Sequence, residues 1–166
     1  MSLLDRLNKA SSQSVITDII EEIKKTLEDN SYIHDIEFNN GTLIIKGNPH
    51  KTRPSISFYT RYHNLAVFTD KQYSKYIKQI QIKGILIFDA DEHIQFNPDI
   101  KIIADNIFFW TDSRRVVKIE GLNCKCNKIE VLDAPIRIAN SYIECEKLLT
   151  KNDRNILPST IKKYIK

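Results

Sequence analysis

Hydrophobic and polar residues alternate in short stretches along residues 122–149. In units of seven residues, the first and third positions are apolar and the second is polar. The apolar pairs are Leu122/Cys124, Ile129/Val131, Ile136/Ile138 and Ile143/Cys145. Alternation over three residues followed by a gap of four indicates a very short, half-buried strand and then a corner. The helical spacing of three and four is absent from these units.

Grouped in threes, these units predict a mainly β fold, namely a short parallel β-helix, or solenoid, with coils of about 21 residues. First strands would begin at Ile80, Ile100, Leu122 and Ile143, which are 20, 22 and 21 residues apart. Each of these residues would stack on the next in one column, and Ile82, Ile102, Cys124 and Cys145 would form the neighbouring column. Three-residue strands do not reveal their direction, so an antiparallel β meander or sandwich, or an α+β fold, stays the alternative.

Within this single domain, three regions are predicted. Residues 1–33 form an N-terminal helical cap, because five apolar residues follow helical spacing over 14–29: Ile16, Ile19, Ile20, Ile23 and Leu27. Residues 34–149 form the β-repeat body, which opens with a hairpin at Asn40-Gly41 and could extend the solenoid back to Ile36. Residues 150–166 form a C-terminal tail with a short helix from Leu157. Within the body, residues 65–67 are predicted as a strand and 70–79 as a helix.

Composition narrows the class of protein. The start of the chain lacks the apolar run of a signal peptide, and no stretch approaches the length of a membrane span. We therefore expect a cytoplasmic protein. Three cysteines do not suggest a disulfide framework. Cys124 and Cys145 occupy inward positions of the repeat and are expected to be buried core residues, whereas Cys126 is expected in a corner; no metal site is predicted on them.

Charge is concentrated in one segment. Residues 46–83 carry eight Lys and Arg residues and one acid, Asp70, which gives +7 against +4 for the whole chain. Aromatic residues are interleaved with these cations: Phe58, Tyr59, Tyr62, Tyr73 and Tyr76. Cations that follow phosphates and rings that stack on bases are what nucleic-acid contact needs. A docking surface for an acidic protein and a merely solvated basic face are the alternatives.

The predicted binding residues come from this basic segment: Lys51, Arg53, Tyr59, Arg61, Tyr62, His63, Lys71, Lys75 and Lys78. No catalytic residue and no cofactor is predicted. A metal-dependent hydrolase at Asp89, Asp91 and His93 is one alternative, since alternate residues of a strand project to one side. A corner in which these groups are simply solvated is the simpler interpretation.

The sequence thus predicts a non-catalytic binding protein that contacts an anionic partner, such as nucleic acid, through segment 46–83. The second alternative is a scaffold that forms homo-oligomers through its open solenoid edges, because the last coil of a solenoid presents an unpaired strand. No membrane partner is expected.

Overall fold

The computed structural model describes residues 33–47, 55–59, 66–131, 135–150 and 155–164, together with Glu21 and Lys25. The strands are β1 (Ile33–Asn39), β2 (Thr42–Gly47), β3 (Ser55–Tyr59), β4 (Gln79–Asp89), β5 (Ile94–Gln95), β6 (Lys101–Trp110), β7 (Val117–Glu120), β8 (Asn123–Val131), β9 (Ile136–Ala139), β10 (Tyr142–Thr150) and β11 (Ile161–Tyr164). A short helix, α1 (Ala66–Thr69), and a 3₁₀ helix (Lys71–Lys75) lie between β3 and β4.

The strands form a β-solenoid of about four turns, built from two sheets. Sheet A has the order β1-β2-β4-β6-β8-β10-β11, with β3 beside the second half of β4; sheet B has the order β5-β7-β9. Every pairing is parallel except that of β1 with β2. The parallel solenoid is therefore confirmed, and the antiparallel alternative is wrong for the described strands.

Each coil contains one long strand of sheet A and one short strand of sheet B. The seven-residue pattern ends each strand after three residues, but β4 continues without a break from Gln79 to Asp89. Its register against β6 shifts between Ile82 and Ile85, beside Gly84, whose φ is 132°. A strand can bend at such a glycine while its pairing continues on both sides.

The inward columns differ from the predicted ones by two residues. One column runs through Leu43, Ile80, Ile102, Cys124 and Ile143. Ile80 therefore lies beside Ile102 rather than Ile100, and Cys124 lies beside Ile143 rather than Cys145. A slip of two residues keeps the same side chains facing inward, so alternation alone does not distinguish the two registers.

The first coil replaces a strand of sheet B with the helical segment. The Asn97 N–H donates to Phe68 O in α1 at 2.9 Å, which places α1 against the end of β5. The Phe68 ring meets Phe58 edge-on at 4.8 Å, and Phe88 stacks on Phe109 at 5.3 Å. The prediction of a strand at 65–67 is wrong, because Val67 lies in α1. The helix predicted at 70–79 is only the 3₁₀ helix, and β4 already begins at Gln79.

The first and last strands of sheet A differ in the direction of their pairing. The predicted hairpin is confirmed: β1 and β2 pair antiparallel around Asn40 and Gly41, whose φ values are 48° and 83°. Because β1 runs backwards, Ile36 pairs with Ile45 and does not start a further coil. At the other end, the predicted short helix is wrong, because β11 pairs in parallel with β10.

The predicted N-terminal capping helix lies outside the described residues apart from Glu21 and Lys25, and the structure gives it no support. In the described part of the chain, no helix has the length and apolar character needed to cross a membrane.

Candidate functional site

The basic segment is described in part. Lys71 and Lys75 lie on the 3₁₀ helix, Lys78 lies just before β4, and all three side chains are exposed. For Tyr59 only the backbone is described, in β3. The other predicted binding residues lie outside the described residues: Lys51, Arg53, Arg61, Tyr62 and His63.

Two buried side chains hold the 3₁₀ segment against the body. Tyr73 and Ile77 belong to the hydrophobic core, and the Ile77 N–H donates to Tyr73 O at 2.8 Å. The Tyr73 N–H donates to Asp70 O at 3.3 Å. With these anchors turned inward, Lys71 and Lys75 remain in solvent. The local fold therefore presents its cations on the outer side of a fixed turn.

Lys78 joins three parts of the fold. The N–H groups of Lys78 and Gln79 donate to Gly41 O at 2.8 and 3.2 Å, and Lys78 O accepts from the Lys101 N–H at 3.0 Å. The Lys78 ammonium also donates to Ser74 O. Lys101, half-buried at the start of β6, is thereby brought next to Lys78. We call Lys71, Lys75, Lys78 and Lys101 the lysine cluster.

Lys101 was missed because it lies outside the basic segment in sequence. Lys101 lies beside the rest of the cluster because β4 and β6 belong to successive coils, and their register pairs Lys101 with Gln79. The repeat period is the signal that could have found it.

Several aromatic residues of the basic segment are not presented to a ligand. Phe58 and Tyr73 are buried, and Tyr76 packs against the core. Burial raises the pKa of Tyr73, and the nearby Asp70 raises it further. The expectation that Phe58 and Tyr73 supply stacking rings is wrong, because both are buried in the core, while Tyr76 is partly buried against it.

Lys46, at the edge of the basic segment, is engaged by an acid. Its ammonium donates to Glu37 Oε1 at 2.8 Å across the hairpin. This hydrogen bond, and the negative charges of Glu37 and Asp35, raise the pKa of Lys46. Lys46 is therefore a cation with a neighbouring counter-charge.

The three cysteines lie in the interior. Cys124 and Cys145 are buried as predicted, but the corner position predicted for Cys126 is wrong, since it is buried in β8 and pairs in register with Cys145. A hydrogen bond with Cys126, together with burial, raises the pKa of Cys124 well above its usual value. Burial raises the pKa of Cys145 to about 11. With raised pKa values, the thiols of Cys124 and Cys145 stay protonated at neutral pH, which makes them poor nucleophiles.

Asp89, Asp91 and His93 are not brought together as a metal site. Asp89 is buried, while His93 is exposed and its Nδ1 accepts the Lys118 N–H at 2.7 Å. Across the described ranges, no group of three or more His, Cys, Asp and Glu residues could hold a metal ion. The His93 imidazole is therefore bonded to the backbone of β7.

A shallow groove of about 240 Å³ lies at the corner where the chain passes from sheet B to sheet A in successive coils. It is lined by Pro98, Gly121, Leu122, Asn123, Asn140, Ser141, Tyr142, Ser159 and Ile161. None of these described residues is a carboxylate, an amine, an imidazole or a thiol. The hydroxyl groups of Ser141, Tyr142 and Ser159 therefore have no base among the lining residues that could activate them as nucleophiles.

Comparison with protein-family models, curated proteins and solved structures found no match to this chain.

Proposed function

We propose that this chain is a non-catalytic binding protein that contacts an anionic partner through its lysine cluster. The observation that supports the proposal is the arrangement of Lys71, Lys75 and Lys78, which are all exposed on the short segment between α1 and β4. Asp70 is the single acid in segment 46–83. A concentrated positive charge of this kind attracts polyanions and speeds their association.

Nucleic acid is the first partner to test, and the expected mode of contact is with its phosphates. Because the Tyr73 ring is buried, attraction between the lysines and the phosphates is expected to be the main source of affinity at this part of the surface. Binding should then depend little on base sequence and strongly on salt concentration.

The experiment is a salt titration of binding to a mixed-sequence DNA duplex, with the wild-type chain and with Lys71→Gln plus Lys75→Gln. Each phosphate contact contributes about 0.9 to the slope of log affinity against log salt. Loss of two contacts should therefore lower the magnitude of the slope by about 1.8. Heparin and polyglutamate in parallel titrations distinguish a general polyanion or an acidic protein from nucleic acid.

The matched control is Arg114→Gln plus Arg115→Gln, which removes the same charge from an exposed loop. That loop follows the end of β6, whereas Lys78 precedes the start of β4, and these strands are parallel neighbours. The two sites therefore lie at opposite ends of the long strands. The proposal fails if none of the polyanions binds at low salt, or if both double variants change binding equally.

A further inference from the structure

The last strand of sheet A carries a charged residue where every earlier coil has an apolar one. Register places Lys162 beside Ile143, which continues the inward column of Ile80, Ile102 and Cys124. These four residues are all at most 2% exposed. By the alternation of strand residues, Lys162 takes the inward-facing position of the terminal coil, yet it is exposed.

β11 is also the end of sheet A among the described strands. It is four residues long, and it pairs with β10 on one side. Ile161, its first residue, is 64% exposed. A terminal strand with an exposed apolar residue is a template for pairing with another chain, and short length and inward-pointing lysines are ways in which proteins block such pairing.

The two lysines of β11 oppose pairing of this edge with the same edge of a second copy. Two copies related by a two-fold axis would pair their β11 strands antiparallel, and inward residues must face inward residues. A register centred on residue 162 sets Lys162 against its own copy. A register centred on residue 163 sets Lys163 against its own copy. Like charges directly opposite each other destabilise a strand pair.

Lys163 has a counter-charge in the described part of the chain, whereas no described acid forms an ion pair with Lys162. The Lys163 ammonium lies 3.7 Å from Glu144, which also lies 3.6 Å from Lys125 on the outer face. Lys162 faces the apolar column instead, so pairing would also remove its ammonium from water above Ile143. Burying such a charge is costly. Lys162 is therefore the stronger of the two blocks.

We propose that the β11 edge is a latent self-association surface and that Lys162 keeps this chain from dimerising through it. The partner that the surface fits is a second copy of this chain. The proposal does not depend on the lysine cluster, which lies on the 3₁₀ helix and at the starts of β4 and β6.

The test compares the mass in solution of wild-type chain and Lys162→Ile by sedimentation over a range of concentrations. We expect the wild-type chain to remain a single copy and Lys162→Ile to form a dimer, with an association constant at least tenfold higher. Lys162→Glu keeps a charge at this position and should stay a single copy. Lys162→Ala serves if the isoleucine variant does not fold, as judged by circular dichroism, and should show a smaller concentration-dependent rise in mass.

The control is Lys125→Ile, the same chemical change at an exposed position of β8, a strand paired on both sides by β6 and β10. We expect it to remain a single copy. A wild-type chain that dimerises and can be cross-linked through residue 161 overturns the proposal. A folded Lys162→Ile or Lys162→Ala variant with the mass of one copy overturns it as well.

Discussion

At the scale of single residues, Gly121 is the position where the backbone tolerates no side chain. Its φ is 72°, and a Cβ atom there would lie 2.4 Å from Phe96 O and 2.8 Å from Gln95 Nε2. The Gly121 N–H donates to Asn140 O at 3.2 Å, so Gly121 is bonded to the next coil while its Cα lies against the coil before it. Gly121 thus sets the spacing between successive coils at this corner.

Gly41 offers a matched comparison for this position. Its φ is 83°, but a Cβ atom there would lie no closer than 3.5 Å to another atom. We expect Gly41→Ala to lower the free energy of unfolding by about 1 kcal/mol, the cost of a left-handed alanine. Gly121→Ala should lose about 1–3 kcal/mol more, because the backbone must also move away from Phe96. Urea denaturation measures both, and equal losses would contradict the assigned clash.

The burial of individual cysteines shows how far the sequence predicts the core. Cys124 and Cys145 were predicted correctly, because the seven-residue pattern places them at inward positions. The three-residue pattern places Cys126 in a corner, because it ends each strand after the third residue. In the structure β8 continues from Asn123 to Val131, so the alternation that buries Cys124 also buries Cys126.

At the scale of elements, Ser141 forms the hydrogen bonds that hold the corner between β9 and β10. Ser141 is buried, its Oγ accepts the Leu122 N–H at 3.1 Å, and its hydroxyl donates to Ala139 O at 2.8 Å. One coil further on, Ser159 Oγ accepts the Asn140 N–H at 3.3 Å, but this bond is exposed. A serine hydroxyl therefore accepts a backbone N–H of the preceding coil twice near this corner, once in the interior and once in water.

This pair of serines gives a prediction about the corner. We expect Ser141→Ala to lower the free energy of unfolding by about 1–3 kcal/mol, because the buried Leu122 N–H loses its acceptor. Ser159→Ala should cost less than about 0.5 kcal/mol, since water can replace the exposed hydroxyl. Chemical denaturation of both variants provides the measurement. A larger loss for Ser159→Ala than for Ser141→Ala would show that burial does not set the cost.

The elements themselves were predictable where local chemistry decides them. The hairpin at Asn40-Gly41 follows from residues that adopt positive φ. The length of β4 was not predictable from alternation, because Lys83 and Gly84 interrupt the apolar pattern without ending the pairing. The strand β11 was missed because Lys162 and Lys163 are polar, and only the stacking of coils makes this segment a strand.

At the scale of the whole molecule, the coil repeat was predictable and its register was not. The period of about 21 residues follows from the spacing of apolar residues, but a shift of two residues buries the same set. Tertiary packing decides between such registers, for example where Ala104 lies beside Ile82. The lysine cluster was predicted in part for the same reason: three of its members are close in sequence, while Lys101 joins them only through the register.

The repeat also predicts how the molecule opens. In a solenoid each coil contacts only its neighbours, so an end coil can separate while the central coils stay folded. Ile107 is fully buried in β6, between β4 and β8, whereas Ile156 lies in the last coil, where it bridges to Ile138. Loss of either side chain to alanine removes about 2–5 kcal/mol of packing. The two substitutions should nevertheless lower local stability over different lengths of the chain.

We therefore expect hydrogen exchange to distinguish the two variants. Ile156→Ala should speed exchange in residues 155–164 and leave β4 and β6 close to their wild-type rates. Ile107→Ala should speed exchange in β4, β6 and β8 together, because a central coil cannot open without separating its neighbours. Exchange followed by mass spectrometry on peptides from each coil gives the comparison. A uniform rise over the described strands in both variants would mean that the coils unfold as one cooperative unit, and that the end coil is as firmly held as the centre.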